Sequence, residues 1–342
     1  MQPRILIIYT GGTIGMIEDP KSKALAPFDF SHLMENVPKV KMLDYHIDNI
    51  QFAPPIDSSD MNPEHWQHIT SSIARNYDDY DGFVVLHGTD TMAYTASALS
   101  FMLQGLSKPV IITGSQLPIG EVRTDGEENL ITALQIAAAK GSDGRPMVQE
   151  VAILFENYLW RGCRSTKRSA DHFNAFRSNN YPYLAKIGLG ITYDQDSLDR
   201  TEGKTLRVFR KLDTSVMCID LFPGLNETTL RHQLATPGIK GIVLRTYGAG
   251  NGPTAPWFIS AIRDACNRGI VLLNVTQCVN GSVHSNRYVT GDMLSGTGVI
   301  SGHDITFEAA ITKMMHLFGK GVGHDEVVRA LHRPLAGEMT LD

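Results

Sequence analysis

Four short apolar runs, Ile5 to Tyr9, Phe83 to Leu86, Val110 to Ile112 and Val151 to Phe155, constrain the fold of the first half of this chain more than any other feature. They alternate with turns rich in Gly, Ser, Thr and Asp and with segments of helical period, the spacing of repeated βα units. Trp66, Ile69, Ile73 and Tyr77 form one apolar stripe, and Met92, Ala96, Leu99 and Leu103 another, each suited to packing on one face of a sheet. A strand apolar on both faces must be covered on both, so a parallel sheet flanked by helices is expected. The pattern dissolves between Ile191 and Leu212, then resumes with runs at Val216 to Leu221, Gly241 to Leu244 and Ile270 to Val275. Helices are expected from about Glu227, from about Pro256, and along Phe307, Ile311, Met314 and Phe318. The reading is an α/β fold of two α/β domains with mainly parallel sheets: a larger N-terminal domain over 1–192, a linker over 193–212 and a smaller C-terminal domain over 213–342. A length of 342 residues fits two domains of roughly 100 to 200 each.

Charge and cysteine usage narrow the partners. The 31 basic residues are scattered against 36 acidic ones, a net charge of −5, so the basic footprint of a nucleic-acid binder is missing. Ile5 to Tyr9, the longest strongly apolar run near the N-terminus, is far short of the roughly 20 residues that span a bilayer. No secretory leader is visible, and no membrane partner is expected. Cys163, Cys218, Cys266 and Cys278 form no CxxC pair and fit reduced thiols, so the protein is expected to be cytoplasmic with a small soluble partner. His65 and His68 lie three apart without a surrounding HExxH and read as exposed helix histidines; no metal is expected. Gly114-Ser115-Gln116 lacks the GxSxG spacing of a serine-hydrolase elbow.

Ligands of open α/β sheets gather outside the carboxyl ends of the strands, so the loops there carry the candidate chemistry. Thr10-Gly11-Gly12-Thr13-Ile14-Gly15 is either a tight turn, a dinucleotide loop or a backbone cradle presenting the Thr13 hydroxyl. His87-Gly88-Thr89-Asp90-Thr91 places a hydroxyl beside a carboxylate at a helix start, where Thr89 or Asp90 is an N-cap or part of an oxyanion-stabilising loop. Lys167 is either a solvated lysine or, if desolvated beside Thr89 and Asp90, a base for a threonine hydroxyl with Asp90 orienting it. Before the Trp66 helix, Asn62 reads as N-cap and Pro63 as the first helical residue. Capping does not require the excess of Asp57, Ser58, Ser59 and Asp60, which suits the ends of a small zwitterion.

Jointly, Thr10-Gly-Gly-Thr-Ile-Gly and His87-Gly-Thr-Asp-Thr-Met-Ala-Tyr-Thr-Ala resemble the two signature segments of the bacterial-type L-asparaginase family. The likeness runs on through Thr113-Gly-Ser-Gln, Ser165-Thr-Lys, Leu244-Arg-Thr-Tyr-Gly-Ala-Gly-Asn and Asn274-Val-Thr-Gln-Cys, and is nearest to the cytoplasmic type I branch. The resemblance implies hydrolysis of L-asparagine to L-aspartate and ammonia through an acyl-enzyme, without a cofactor, by a dimer or tetramer whose protomers complete each other's sites. It matches Thr13 to the nucleophile, Thr89, Asp90 and Lys167 to a Thr-Asp-Lys group, and Ser58 and Ser59 with Asp90 to the residues that hold substrate, with Asp57 beside them. Many relatives place a tyrosine soon after the nucleophile, yet none occurs from Ile14 to Asp44, and the loop Met16 to Pro27 carries Lys21, Lys23 and Leu25 instead. Tyr288 matches the tyrosine that type I relatives use from the second domain. A regulatory asparagine site around Thr166, Arg245 and Cys278 is a further expectation, against Arg245 simply pairing with a carboxylate between domains. The alternatives are the asparaginase-like subunit of a tRNA-dependent amidotransferase, for whose added N-terminal domain a strand starting near Ile5 leaves no room, and a catalytically silent binding protein.

Overall fold

The computed structural model describes residues 2–18, 25–27, 30, 35, 37–200, 202–284, 294 and 296–341. The chain divides into two compact units, Met1–Arg210 and Lys211–Asp342.

The first unit is built on an eight-stranded sheet: β1 Arg4–Gly11, β2 His46–Ile56, β3 Gly82–Leu86, β4 Val110–Thr113, β5 Val151–Phe155, β6 Tyr158–Arg161, β7 Ala185–Ile187 and β8 Ile191–Tyr193. Their spatial order is β8-β7-β6-β5-β4-β3-β1-β2. Strands β1 to β5 pair in parallel, and β6 to β8 extend the sheet antiparallel. All of Ile5–Tyr9, Gly82–Leu86, Val110–Thr113 and Val151–Phe155 is buried, as their unbroken apolar character requires. The chain order of the parallel part reverses between β1 and β3. That is the switch point at which an open sheet leaves a crevice for a ligand, and both signature loops leave the carboxyl ends of these two strands.

Helices Pro63–Arg75, Met92–Met102 and Gly126–Ala138 cover the sheet. Asn62 caps the first by accepting hydrogen bonds from the Glu64 and His65 amides, with Pro63 following, as expected. Met92–Met102 departs from the single stripe expected of it, because every residue except Tyr94 is buried. The segment Gly162–Lys167 lies over its other side; a Cβ on Gly162 would stand 3.1 Å from Ala96 Cβ. Ile191–Tyr193 closes one edge of the sheet, and Arg207–Val208 pairs antiparallel with Leu103–Gln104.

The second unit holds a four-stranded parallel sheet, β9 Val216–Asp220, β10 Gly241–Thr246, β11 Val271–Thr276 and β12 Ile300–Ser301, in that order. Helices Glu227–Leu234, Pro256–Asn267 and Phe307–Gly319 start where the sequence places them, and His324–Leu331 follows. Among the described residues, no helix is long and apolar enough to cross a membrane. The four cysteines are free thiols. His68 is exposed and stacks on Phe52, with ring centroids 4.4 Å apart, but His65, at 6.2 Å from the same ring, is half-buried rather than exposed.

Candidate active site

Three backbone segments meet at the switch point because glycines allow it. The β1 strand ends in Gly11, at φ +127°, paired with Ile56 at the end of β2; a Cβ on Gly11 would lie 2.2 Å from the Ile56 carbonyl oxygen. The Gly12 Cα packs against the His87–Gly88 backbone, where a Cβ would lie 2.4 Å from Gly88 N. Gly88 in turn abuts the Ser58 side chain, with a hypothetical Cβ 2.5 Å from Ser58 Oγ. The turn bearing Thr13, the loop bearing Thr89 and Asp90, and the Asp57–Ser59 segment are thus in direct contact.

Lys167 completes the cluster from 78 residues away in sequence: its Nζ donates to Thr89 Oγ1 at 2.8 Å and to Asp90 Oδ1 at 2.6 Å. Its side chain is 18% exposed and that of Asp90 is 65% exposed, so the pair sits at the mouth of the crevice. The N-cap reading of Thr89 and Asp90 does not hold. The residue at the cap is Thr91, and its hydroxyl donates to the Ser58 carbonyl at 2.6 Å instead, tying the two loops together. Asp57 is exposed and accepts from both the amide and the hydroxyl of Ser59 at 2.8 Å, bonds that hold its carboxyl below the usual carboxylate range. Ser58 is buried, and Thr13 is half-buried.

Gln116 is a site residue that sequence reasoning did not single out. The Thr89 hydroxyl donates to Gln116 Oε1 at 3.3 Å, and Gln116 Nε2 donates to the Ala170 and His172 carbonyls at 3.2 and 3.0 Å. The carboxylate of Asp125 receives the Gln116 amide at 3.0 Å and the Leu117 amide at 3.1 Å. The sequence signal for this loop was the Thr113-Gly-Ser-Gln segment of the family likeness, which gave Gln116 no role; its partner Asp125 is buried at the start of helix Gly126–Ala138. Behind Thr89, the Trp66 indole donates to Thr95 Oγ1 at 2.9 Å, Thr95 Oγ1 meets His87 Nε2 at 2.8 Å, and His87 Nδ1 meets the Gly88 carbonyl at 2.6 Å.

Complete burial pushes the His87 imidazole pKa down to about 4, only partly opposed by its bond to Gly88. The unfolded chain, with an ordinary histidine near 6.5, then binds more protons than the folded one between those values, so stability is full above pH 6.5 and falls toward about pH 4. The expected loss is on the order of 3 kcal/mol from this group. Urea midpoints measured from pH 7 to 4 should fall with acidification in the wild type and less steeply in His87→Asn.

Tyr288, Lys21 and Lys23 lie outside the described residues, and Leu25 is described only in its backbone. Thr166, half-buried, belongs to the first unit, Arg245 and Cys278 to the second. Arg245 pairs with Asp220 of its own unit at 2.9 Å and lies over the Phe307 ring, so its carboxylate partner is not one between domains. Its Nε is buried without a partner. Cys278 is exposed.

Comparison with known proteins shows the family. A family model described as Asparaginase, N-terminal, matches residues 4–199, and one described as Glutaminase/Asparaginase C-terminal domain matches residues 215–331. Over 342 positions the chain is 42% identical to L-asparaginase 1 of Escherichia coli (strain K12), covering 99% of this chain and 98% of that protein. It is 33% identical over 351 positions to one subunit of the Glutamyl-tRNA(Gln) amidotransferase of Pyrococcus horikoshii, covering 99% of this chain and 77% of that one. The crystal structure of L-asparaginase I from Vibrio cholerae superposes with a TM-score of 0.91 at 39% identity over 100% of both chains. With its two units matched in turn by the N- and C-terminal models, the chain belongs to the asparaginase family.

Proposed function

We propose that this protein hydrolyses the side-chain amide of free L-asparagine to L-aspartate and ammonia by two-step acyl transfer. The observation that carries the reading is the contact of one lysine nitrogen, Lys167 Nζ, with both Thr89 Oγ1 and Asp90 Oδ1 beside the turn that bears Thr13. A threonine hydroxyl is a poor nucleophile until a neighbour takes its proton. In this reading the Thr13 oxygen attacks the amide carbon and Tyr288 assists it. Backbone N–H groups of the Gly-rich turn and of Thr89 receive the charge that develops on the carbonyl oxygen. The proton lost by the Thr13 hydroxyl passes to the amide nitrogen, and the C–N bond breaks with ammonia as the leaving group. The Lys167–Thr89 pair then takes a proton from the water that attacks the Thr13 ester, with Asp90 holding Nζ in place, and that proton returns to the Thr13 oxygen as the ester C–O bond breaks to release aspartate. No cofactor enters this scheme. Asp90 takes the α-ammonium, Ser58 or Ser59 the α-carboxylate, and Asp57 sets the Ser59 hydroxyl. Holding both ends favours a free amino acid over a peptide side chain.

The same proposal places the protein in the cytoplasm as a dimer or tetramer, with Tyr288 reaching the neighbouring protomer's site. The domain division 1–192, 193–212 and 213–342 is kept in it, supported by family models that stop at 199 and resume at 215. A regulatory asparagine site built from Thr166, Arg245 and Cys278 is supported by the unpartnered Arg245 Nε.

One experiment tests the reading: the purified protein is incubated with asparagine and, separately, glutamine, ammonia and aspartate are measured over a wide concentration range, and the mass is read by size exclusion. Equal yields of ammonia and aspartate from asparagine are expected, with a rate curve that is sigmoidal if the regulatory site operates. Absence of ammonia above background would leave the silent binding protein, and ammonia from glutamine alone would favour the amidotransferase reading.

A further inference from the structure

We propose that His87 is a positioning residue for this reaction: as the Nδ1–H tautomer, wired to Thr95 and Trp66, it fixes the Gly88–Thr89 peptide so that the Thr89 N–H faces the oxyanion. The inference rests on the hydrolytic reading given above and goes beyond it in assigning a role to a residue that touches no substrate.

The tautomer follows from what each neighbour is able to do. A carbonyl only accepts, so the 2.6 Å contact with the Gly88 oxygen requires a proton on His87 Nδ1. A neutral imidazole then has Nε2 as an acceptor, and the Thr95 hydroxyl at 2.8 Å must donate to it. The Thr95 oxygen accepts in turn from the Trp66 indole, a group that only donates, at 2.9 Å. Both ends of the chain impose the same direction on every bond. His87 and Thr95 are fully buried and Trp66 is 6% exposed, so each of these polar groups depends on the others for its partner.

The far end of the chain is a glycine carbonyl, and there the purpose becomes clear. Gly88 has no Cβ to restrict its backbone, so the peptide that follows it is free to rotate unless something holds it. A Cβ is excluded at this position by Ser58 Oγ, so the restraint must come from a hydrogen bond. In a planar trans peptide the C=O and N–H point in opposite directions, and anchoring the Gly88 oxygen aims the Thr89 N–H away from the His87 ring. Among the described residues the Thr89 N–H has no hydrogen-bond acceptor, as a donor kept for a developing charge should be.

The test compares two amides that each reproduce half of the imidazole. In His87→Asn the amide nitrogen stands where Nδ1 stood and still donates to Gly88; in His87→Gln it stands near Nε2 and reaches Thr95 instead. We expect kcat within about tenfold of wild type for Asn, but about 10²–10³-fold lower for Gln, the cost of losing one oxyanion donor. KM should change little in either. Histidine 15N spectra of the wild type should show one buried ring protonated at Nδ1. Equal kcat losses in the two variants, tracking their thermal midpoints, would reduce His87 to packing, and an Nε2–H tautomer would overturn the wiring directly. Wild-type protein that releases no ammonia would overturn the hydrolytic reading and the Thr89 role with it. An active wild type with indistinguishable variants would overturn the positioning role alone.

Discussion

Replacement of Thr89 with valine should lower asparagine turnover by about three orders of magnitude or more while moving the thermal midpoint little. Valine keeps the volume and the β-branch, so the packing against the loop survives. What it removes is the oxygen that accepts from Lys167 Nζ at 2.8 Å and donates to Gln116 Oε1 at 3.3 Å. Proton-transfer groups of this kind contribute roughly 10²–10⁴-fold to rate, and losing the hydroxyl also strands the lysine from its reaction partner. Lys167→Met should behave alike, and Thr13→Ala should lose the nucleophile outright. The stability cost stays small because Lys167 and Asp90 sit at the crevice mouth, where an ion pair is worth under about 1 kcal/mol. The check is steady-state ammonia release beside a thermal melt. Near-wild-type turnover in Thr89→Val or Lys167→Met would withdraw their assignment to proton transfer, and unfolding of either variant would assign the residue to structure.

The largest stability effect is expected in the second unit, at a pair with no place in the chemistry. Lys313 and Glu338 are both wholly buried and bridge at 2.7 Å; Lys313 Nζ also donates to the Arg333 carbonyl at 2.7 Å, while Glu338 accepts from the Leu335 and Ala336 amides. Removing one partner leaves a bare charge in the core. Glu338→Ala should therefore destabilise by about 3–5 kcal/mol, which for a unit of this size lowers the melting midpoint by roughly 10 °C or more. The double change Lys313→Met with Glu338→Ala should be less harmful than the single one, since no charge is stranded. It will not restore the wild-type value, because the Leu335 and Ala336 amides still lose their acceptor. Calorimetry of the three proteins decides; a single-variant loss below about 1 kcal/mol would mean that water or a rearranged neighbour compensates Lys313.

The strands that carry the site announced themselves because each is buried on both faces. Ile5 to Tyr9 and Phe83 to Leu86 have no polar alternation to disguise them. The strand that brings in Ser58 and Ser59 did not. His46–Ile56 is the sheet edge, with only Phe52 of its eleven residues buried, so its sequence His-Ile-Asp-Asn-Ile-Gln-Phe-Ala-Pro-Pro-Ile shows no core signal. The surplus of small polar residues after it was visible, but their neighbour across the crevice was not. Helix Met92–Met102 likewise looks one-sided in period because a stripe rule reads one contact surface, and the second was supplied by a segment some 60 residues later.

What the sequence by itself determined is local: two α/β series, the Asn62 cap, and two glycine-rich loops with hydroxyls and a carboxylate at strand ends, together with a family likeness that rests on those same motifs. These follow from periodicity and conformational freedom within a few residues. Only the tertiary structure decided that Lys167 meets Thr89 and Asp90, that Thr91 binds Ser58 rather than capping its helix, that Gln116 meets the Thr89 hydroxyl, and that His87 links Thr95 to the Gly88 carbonyl. Those contacts join residues 27 to 78 positions apart, or run through a buried ring whose tautomer depends on neighbours. They are fixed by the order of strands across the sheet, where β1 and β3 lie side by side at the switch point, and by which side chains lose water together. No periodicity within one segment encodes either.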